Sequence, residues 1–320
     1  MAGMTLTKLA KLANVSVSTA SKAFSMSPEV NSETREMIFD KARELRCFKQ
    51  FFSAKYPRLV VAVICPELES RYYSGAVGGL RTALEARGCE ITAAASGFSA
   101  ERAAELVSYY ENYADADAVI SFEELPERAW RHEIPVIGLC RGAFSADVRI
   151  LTDYDGAIKK LTDGFLRSGI KKIGFIGEVR TVMKAAAFRE ALGESYDPAF
   201  VSVTEERFEK GGYLAADRLI SSGNLPEAVI CAYDYMAYGA MRRFKDAGLE
   251  IPSDILVAGM DDLDESAYYI PSLTSVDMRS GETAELAAEA LFRLIRGEKA
   301  ENAVLPAAVV ARESTGNTVI

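Results

Sequence analysis

Small polar side chains and one lysine lie close together in residues 16–22, SVSTASK, near the start of the chain. Hydroxyl and ammonium groups of this kind bind phosphate oxygens and donate hydrogen bonds to the edges of bases. Val17, Ser18, Ser21 and Lys22 fall on the outer face of a predicted helix, because its inner face is apolar. This segment is therefore a candidate for contact with DNA, and the neighbouring elements must present it.

Three short helices are predicted around this segment, each with an N-terminal capping residue and an apolar stripe at helical spacing. Asn14 stands where the chain must turn sharply between the first two helices, and asparagine tolerates the left-handed conformation. This arrangement predicts a helix-turn-helix; from the pattern alone, a small helical cap without a role in DNA binding stays open. The predicted caps are Thr5, Ser16 and Asn31, and the stripes are Leu6, Leu9, Ala10 and Ala13, then Ala20, Ala23 and Phe24, then Ile38, Ala42 and Leu45.

Charge is divided unevenly along the chain. Residues 1–58 carry ten Lys and Arg against five Asp and Glu, and the rest carries 27 against 41, so a net of +5 precedes a net of −14. A basic head on an acidic body predicts that only the head meets a polyanion; the alternative is a chance cluster of lysines on a solvated surface.

Composition bounds the remaining possibilities. A chain of 320 residues with 49% apolar content can hold two or more domains. The five cysteines are odd in number and never spaced as CxxC, which predicts reduced thiols in a cytoplasmic protein. His132 is the single histidine, so a histidine-based metal site or a Ser-His triad is not expected. We also expect no cofactor. No signal peptide or membrane span is predicted.

After Pro57 the pattern changes to apolar strand-like runs that alternate with helical segments. One series starts with LVVAVICP at 59–66, and a second starts with a helix from Asp153 to Arg167. Strands that are apolar throughout indicate parallel sheets covered by helices on both faces. Two such series predict two similar lobes, with a cleft at the carboxyl ends of their strands.

The head resembles the DNA-binding domain of the lactose-repressor (LacI/GalR) family over about residues 4–46. The resemblance lies in the stretch VSVSTASKAF followed by SPEVNSETRE. Two residues depart from the family's pattern: Asn14 stands where the family usually has Gly, and Lys22 where Arg or His is common. The resemblance implies that Val17, Ser18 and Lys22 read bases. It implies that the DNA backbone is held by Ser16, Thr19, Ser21, Asn31 and Thr34, and Thr5 completes the predicted DNA-binding set.

The body resembles the effector-binding core of the same family in GMDDLDESAYYIPSLTSVDM and LPAAVVARESTG. The implied fold is α/β: an N-terminal helix-turn-helix domain of three helices, then a two-lobed core like that of periplasmic binding proteins, with parallel sheets flanked by helices. The corresponding domains are residues 1–46, a linker at 47–58 and the two-lobed domain at 59–320. The linker is shorter than usual in the family, and Phe51 and Phe52 are expected either to wedge into the minor groove or to pack on the body.

The resemblance also implies a ligand site between the lobes. Carboxylates and aromatic rings at strand ends suit the hydroxyls and ring faces of a sugar. For each residue a structural role stays open: Asp234 as a helix cap, Asp261 as a brace, the tyrosines as packing. A lysine replaces the family's arginine at position 184, which leaves both a neutral sugar and an anionic effector open. The expected ligand-binding residues are Tyr72 and Tyr73 in the first strand-to-helix loop, Lys184, Phe208, Asp234 and Asp261.

These features together predict a transcriptional regulator, most simply a repressor, which binds a pseudo-palindromic DNA operator as a homodimer. Its expected effector is a sugar, a sugar acid or a sugar phosphate. Control by a partner protein is one alternative: Asp234 and Phe208 argue against it, while Tyr233 and Lys184, which depart from the family's ligand-pairing residues, leave it open. An enzyme acting on a sugar or nucleoside is the other, although the chain has no phosphate loop, nucleophile elbow or histidine motif.

Overall fold

The computed structural model describes residues 4–51, 58–127 and 132–316. The chain divides into two compact units, Met1–Leu59 and Val60–Ile320, each with its own core. The first unit is helical, and the second contains two six-stranded sheets.

The helical unit contains α1 (Leu6–Leu12), α2 (Val17–Phe24), α3 (Ser32–Glu44) and α4 (Phe48–Phe51). The three predicted caps are present: Thr5 accepts a hydrogen bond from the Lys8 amide, Ser16 from the Thr19 amide and Asn31 from the Thr34 amide. Asn14 has a φ of +54°, as the sharp turn between α1 and α2 requires. The predicted stripes meet in one core of Leu9, Ala13, Ala23, Phe24, Ile38 and Ala42, together with Val30, Phe39 and Cys47.

The short helix α4 packs on this core. The Phe51 ring lies 5.7 Å from that of Phe24, and the Phe48 ring lies 5.0 Å from that of Phe39 in an edge-to-face arrangement. The Phe51 ring thus contacts the helix-turn-helix itself, a position that neither expectation named, and its insertion into the minor groove stays a prediction. The physical reason is that Phe24 and Phe39 leave an apolar surface which a nearby ring can cover. Phe52 lies outside the described residues.

The second unit has seven helices and twelve strands in its described part, and the strands form two sheets. The strands are β1 (Leu59–Cys65), β2 (Cys89–Ala95), β3 (Ala118–Ser121), β4 (Val136–Gly138), β5 (Val148–Asp153), β6 (Ile173–Glu178), β7 (Val201–Thr204), β8 (Ala228–Cys231), β9 (Leu256–Met260), β10 (Thr274–Asp277), β11 (Ala303–Pro306) and β12 (Ala308–Val310). The helices are α5 (Arg71–Glu85), α6 (Ala100–Asn112), α7 (Tyr154–Arg167), α8 (Val182–Leu192), α9 (Phe208–Ser221), α10 (Asp234–Asp246) and α11 (Ser280–Ile295).

The sheet orders define two lobes. The first lobe has the order β11-β5-β4-β3-β1-β2 and the second has β12-β10-β9-β8-β6-β7. Neighbours such as β1 and β3, or β8 and β9, are parallel, whereas β12 runs antiparallel to β10. The chain thus crosses between lobes after β5, after β10 and again after β11. The predicted parallel sheets and two lobes are confirmed, but the sequence did not predict β5, β10, β11 and β12 as strands.

Close backbone packing joins α9 to α10. A Cβ atom on Gly239 would clash with the backbone oxygen of Glu209, and one on Gly212 would clash with the backbone oxygen of Met236. Glycine at both positions allows the two helices to approach to backbone contact. This contact fixes α9 and α10, the helices that follow β7 and β8, relative to each other.

Candidate nucleic-acid interface and ligand cleft

The face of α2 predicted to contact DNA is on the surface of the helical unit. Val17, Ser18 and Ser21 are exposed, Lys22 is half-buried, and Ala20, Ala23 and Phe24 are buried on the opposite side. Val17 is 43% exposed at the first position of the helix, where an apolar side chain has no partner within the unit to cover it fully. The N-terminal end of α2 therefore presents one apolar and several polar side chains, the combination that base edges can recognise.

Four of the five residues expected to hold the DNA backbone, Ser16, Thr19, Asn31 and Thr34, lie at helix starts, and Ser21 lies in the middle of α2. Ser16 uses its Oγ atom to accept from the Thr19 amide at 2.9 Å and shares a hydrogen bond with the Thr19 hydroxyl at 2.8 Å. Asn31 accepts from the Thr34 amide at 2.7 Å. These caps leave the first amides of α2 and α3 oriented outward, where the positive end of each helix dipole favours a phosphate.

Lys22 has a partner that sequence analysis missed. Its ammonium group forms an ion pair with the carboxylate of Glu29, in the loop between α2 and α3. The available signal was an acidic residue seven positions after Lys22 in an otherwise basic segment.

A cavity of about 420 Å³ lies at the carboxyl ends of the strands in both lobes. It is lined by residues that follow β1, β3 and β4 in the first lobe and β6, β7, β8 and β9 in the second. This is the position at which parallel sheets bind ligands. The cavity is lined by Tyr72, Tyr73, Lys184, Phe208 and Asp261, five of the six residues expected to bind a ligand.

The two tyrosines belong to α5, and not to the strand-to-helix loop in which the sequence predicted them. Ser70 caps this helix by accepting from the Tyr73 amide, so Tyr72 and Tyr73 lie in the first turn and not in the preceding loop. Their rings pack edge to face at 5.0 Å. Burial raises the pKa of both phenols, and the Asp261 carboxylate adds to the shift. Both hydroxyl groups therefore stay protonated and can donate to a ligand.

Asp261 directly follows β9 and has a φ of +110°, a strained backbone conformation for a non-glycine residue. Its carboxylate receives no hydrogen bond from the part of the chain that the structure describes. Burial raises the pKa of this carboxyl to about 7, although the nearby charge of Lys184 lowers it. Lys184 itself donates to the backbone oxygen of Ala232 at 2.7 Å. Asp261 is thus an acceptor directed into the cavity without a protein donor.

Asp234 does not line the cavity, which corrects the expectation that it binds ligand hydroxyls. Its side chain is fully buried, and its Oδ2 atom accepts from the Leu263 amide at 2.9 Å and the Ser266 hydroxyl at 2.7 Å. Its Oδ1 atom accepts from the Ser275 hydroxyl at 2.5 Å. Burial raises the pKa of Asp234 to about 6 despite these three donors. The residue braces the start of α10 against the segment between β9 and β10.

Aromatic rings and arginines form the wall near Phe208. The Arg207 guanidinium lies 4.4 Å from the Phe208 ring centroid and 4.9 Å from that of Phe98, and it pairs with Glu67 at 3.3 Å. The Phe208 amide donates to the Tyr233 hydroxyl at 3.0 Å. The sequence does not predict Arg207, Phe98 or Glu67 in the site, because their proximity depends on how the two lobes meet.

Within the described residues, no group of three or more His, Cys, Asp or Glu side chains could hold a metal ion. No helix in the same residues is long and apolar enough to cross a bilayer.

Comparisons with known proteins agree with this architecture. A family model described as a periplasmic binding protein-like domain matches residues 162–315. The transcriptional regulator MalR of Clostridium butyricum is 25% identical over 98% of this chain and 100% of its own, and GntR of Pseudomonas aeruginosa is 27% identical over 97% and 95%. Among solved structures, the lac repressor dimer bound to operator and the anti-inducer ONPF has a TM-score of 0.73 at 21% identity, covering 98% of this chain and 99% of its own. The CelR-cellobiose complex has a TM-score of 0.66 at 25% identity and covers 98% and 100%.

A helix-turn-helix followed in one chain by two lobes that enclose a cleft defines a class of transcriptional regulators. Within that class, this chain is similar over nearly its whole length to proteins named HTH-type transcriptional regulators or repressors, and its fold is similar to that of the lac repressor.

Proposed function

We propose that this protein is a ligand-responsive repressor that binds a pseudo-palindromic operator as a homodimer and is controlled by a polyhydroxylated small molecule. The observation that carries the proposal is that one chain has both an exposed, polar recognition helix and a cleft with an unpaired carboxylate, Asp261. The relatives named as regulators support it. We expect the protein to act in the cytoplasm.

Operator binding requires two copies of the chain. A single recognition helix reads few base pairs, and dimers place two helices about one DNA turn, ~34–36 Å, or a multiple of it apart. An apolar surface on the second lobe is suited to a second copy of this chain. It consists of Tyr268, Tyr269 and Ile270, of which Tyr268 is 84% and Ile270 88% exposed. Tyr269 stacks on Tyr238 of α10 at 3.9 Å, which holds this surface rigid.

The charges in the cleft favour a neutral sugar over a sugar acid or a sugar phosphate. Arg141 is bound to Asp155 at 2.6 Å, and Arg207 is paired with Glu67 and lies against two rings. Arg180 lies 3.8 Å from the Glu178 carboxylate, and Lys184 already donates to a backbone oxygen. Because these cations have partners while the Asp261 carboxylate does not, a ligand that brings hydroxyl donors fits better than one that brings a second anion.

We expect ligand binding to change the affinity for DNA through closure of the two lobes around the ligand. Three chain crossings between the lobes form a natural hinge, and a ligand that contacts both lobes favours the closed state. A differential affinity of a few kcal/mol between open and closed states is enough to shift the population.

A thermal-shift screen of the full chain with neutral sugars, sugar acids, sugar phosphates and nucleosides tests the proposal. A ligand that binds the native state raises the melting temperature. We expect a neutral sugar to do so in the wild type and to lose at least about tenfold in affinity in Asp261→Asn, which corresponds to ~1.4 kcal/mol. If only sugar acids or sugar phosphates raised the melting temperature, the proposal that the ligand is a neutral sugar would be contradicted. If no compound in the screen binds while the protein still binds DNA, control by a partner protein becomes the better account.

A further inference from the structure

The loop between α2 and α3 holds Glu29 in a fixed position. The Arg35 side chain donates through Nη2 to the backbone oxygens of Ser27 at 2.6 Å and Val30 at 2.8 Å, on either side of Glu29. The Ser27 amide donates to the Lys22 oxygen at 2.9 Å, and the Glu29 amide donates to the Ser27 hydroxyl at 3.3 Å. The loop is therefore attached both to the end of α2 and to α3.

From this position the Glu29 carboxylate reaches the ammonium group of Lys22. Both side chains stay accessible, with 66% of Glu29 and 43% of Lys22 exposed. An ion pair of this exposure adds little to stability. A carboxylate beside the recognition helix also repels the phosphate backbone, so it lowers the affinity for DNA of any sequence. Its fixed position beside Lys22 places a hydrogen-bond acceptor next to a side chain that is expected to read bases.

The major-groove edge of a G·C pair matches this ion pair. Guanine offers two adjacent acceptors, N7 and O6, and the N4 amino donor of cytosine lies next to O6. The acceptor O6 and the donor N4 are hydrogen-bonded partners and so lie about 2.9 Å apart. The Lys22 ammonium and the Glu29 carboxylate are likewise adjacent. An A·T pair offers the order acceptor, donor, acceptor, followed by the thymine methyl group, and lacks two adjacent acceptors beside a donor.

We propose that Lys22 and Glu29 together read one G·C base pair in each half-site, with Lys22 donating to guanine and Glu29 accepting from the cytosine amino group. This inference rests on the proposed function, because it requires operator binding. Glu29 is then a specificity-determining residue. Its negative charge lowers the affinity for every DNA sequence, and on the cognate operator the hydrogen bond from cytosine offsets that loss.

A library of operators with all four base pairs at each half-site position tests this, using the full chain. The variants are Lys22→Met, Glu29→Ala and a matched control, Glu44→Ala. Glu44 is 65% exposed and pairs with Lys41 at 2.6 Å on α3, so its removal deletes the same charge and the same kind of ion pair elsewhere in the unit.

We expect the wild type to prefer G·C over the inverted pair at one position by about tenfold or more. Lys22→Met and Glu29→Ala should each reduce that preference to within about twofold at the same position, while Glu44→Ala keeps it. A Glu29→Ala protein that keeps every base preference and changes affinity for all sequences alike would overturn the inference and leave operator binding intact. Loss of preference at two different positions for the two variants would also overturn it. A wild type without any sequence preference would overturn both the inference and the proposed function.

Discussion

Asp234→Ala separates a structural role from a ligand-binding role. The substitution removes the acceptor of three hydrogen bonds inside the second lobe. The Leu263 amide cannot turn away, and a buried donor without an acceptor costs about 1–3 kcal/mol. The Ser266 hydroxyl retains the Tyr238 hydroxyl at 2.7 Å as a partner, so the two serine bonds add only about 1 kcal/mol. The expected loss in the free energy of unfolding is ~2–4 kcal/mol.

Urea unfolding and titration calorimetry on the same preparation measure both quantities. We expect a lower unfolding midpoint at an unchanged m-value, with ligand affinity within about threefold of the wild type. Asp261→Ala is the matched control, since its carboxylate has no protein donor: affinity should fall and stability should not. If Asp234→Ala instead abolished ligand binding at an unchanged midpoint, Asp234 would touch the ligand and the structural argument would be refuted.

Four further outcomes follow from the described contacts. Lys22→Ala should weaken binding to the cognate operator by about 1–3 kcal/mol and relax one base preference. Thr34→Ala should weaken binding to all sequences alike, so equal effects of the two variants across an operator library would contradict these roles. Ile270→Asp should convert the proposed dimer to a monomer in sedimentation equilibrium while circular dichroism shows that the chain stays folded, because it places a charge on the apolar surface proposed to be buried against the second copy. Gly239→Ala should destabilise the protein by about 1–3 kcal/mol in urea unfolding, since the new methyl group meets backbone. Because burial raises the pKa of Asp261 from 3.8 to about 7, the folded state binds a proton that the unfolded state has lost, so stability falls as the pH rises from 4 to 7. Asp261→Asn should reduce this slope, most clearly above pH 6, while the raised pKa of Asp234 keeps a slope of the same sign at lower pH.

Local features of the fold were predictable from the sequence because neighbouring residues determine them. The caps Thr5, Ser16 and Asn31 and the left-handed Asn14 depend on side chains within four residues. The central strands were predictable because burial on both faces selects continuous apolar runs. β11 alternates between half-buried and exposed residues and β12 is half-buried throughout, so neither has such a run.

The roles of the two aspartates could not be predicted in the same way. Asp234 and Asp261 both directly follow strand-like apolar runs, and both looked suited to bind hydroxyls. What separates them is whether donors such as Ser266 and Ser275 lie nearby, and these come from segments more than thirty residues further along the chain than Asp234. The Lys22–Glu29 pair was missed for a similar reason, since its geometry depends on the loop that Arg35 holds.

The last strands of the chain have a consequence for how the protein is made. β11 completes the edge of the first sheet and β12 that of the second, and the two are separated by a single residue. During synthesis the helical unit, Met1–Leu59, emerges before the strands of the two sheets and can fold by itself on its own core. The edges of β5 and β10 stay uncovered until residues 303–310 have been synthesised, and uncovered edges favour pairing with other chains. A ribosome that stops before Ala303 would therefore release a chain with a finished DNA reader and two incomplete sheets prone to aggregate.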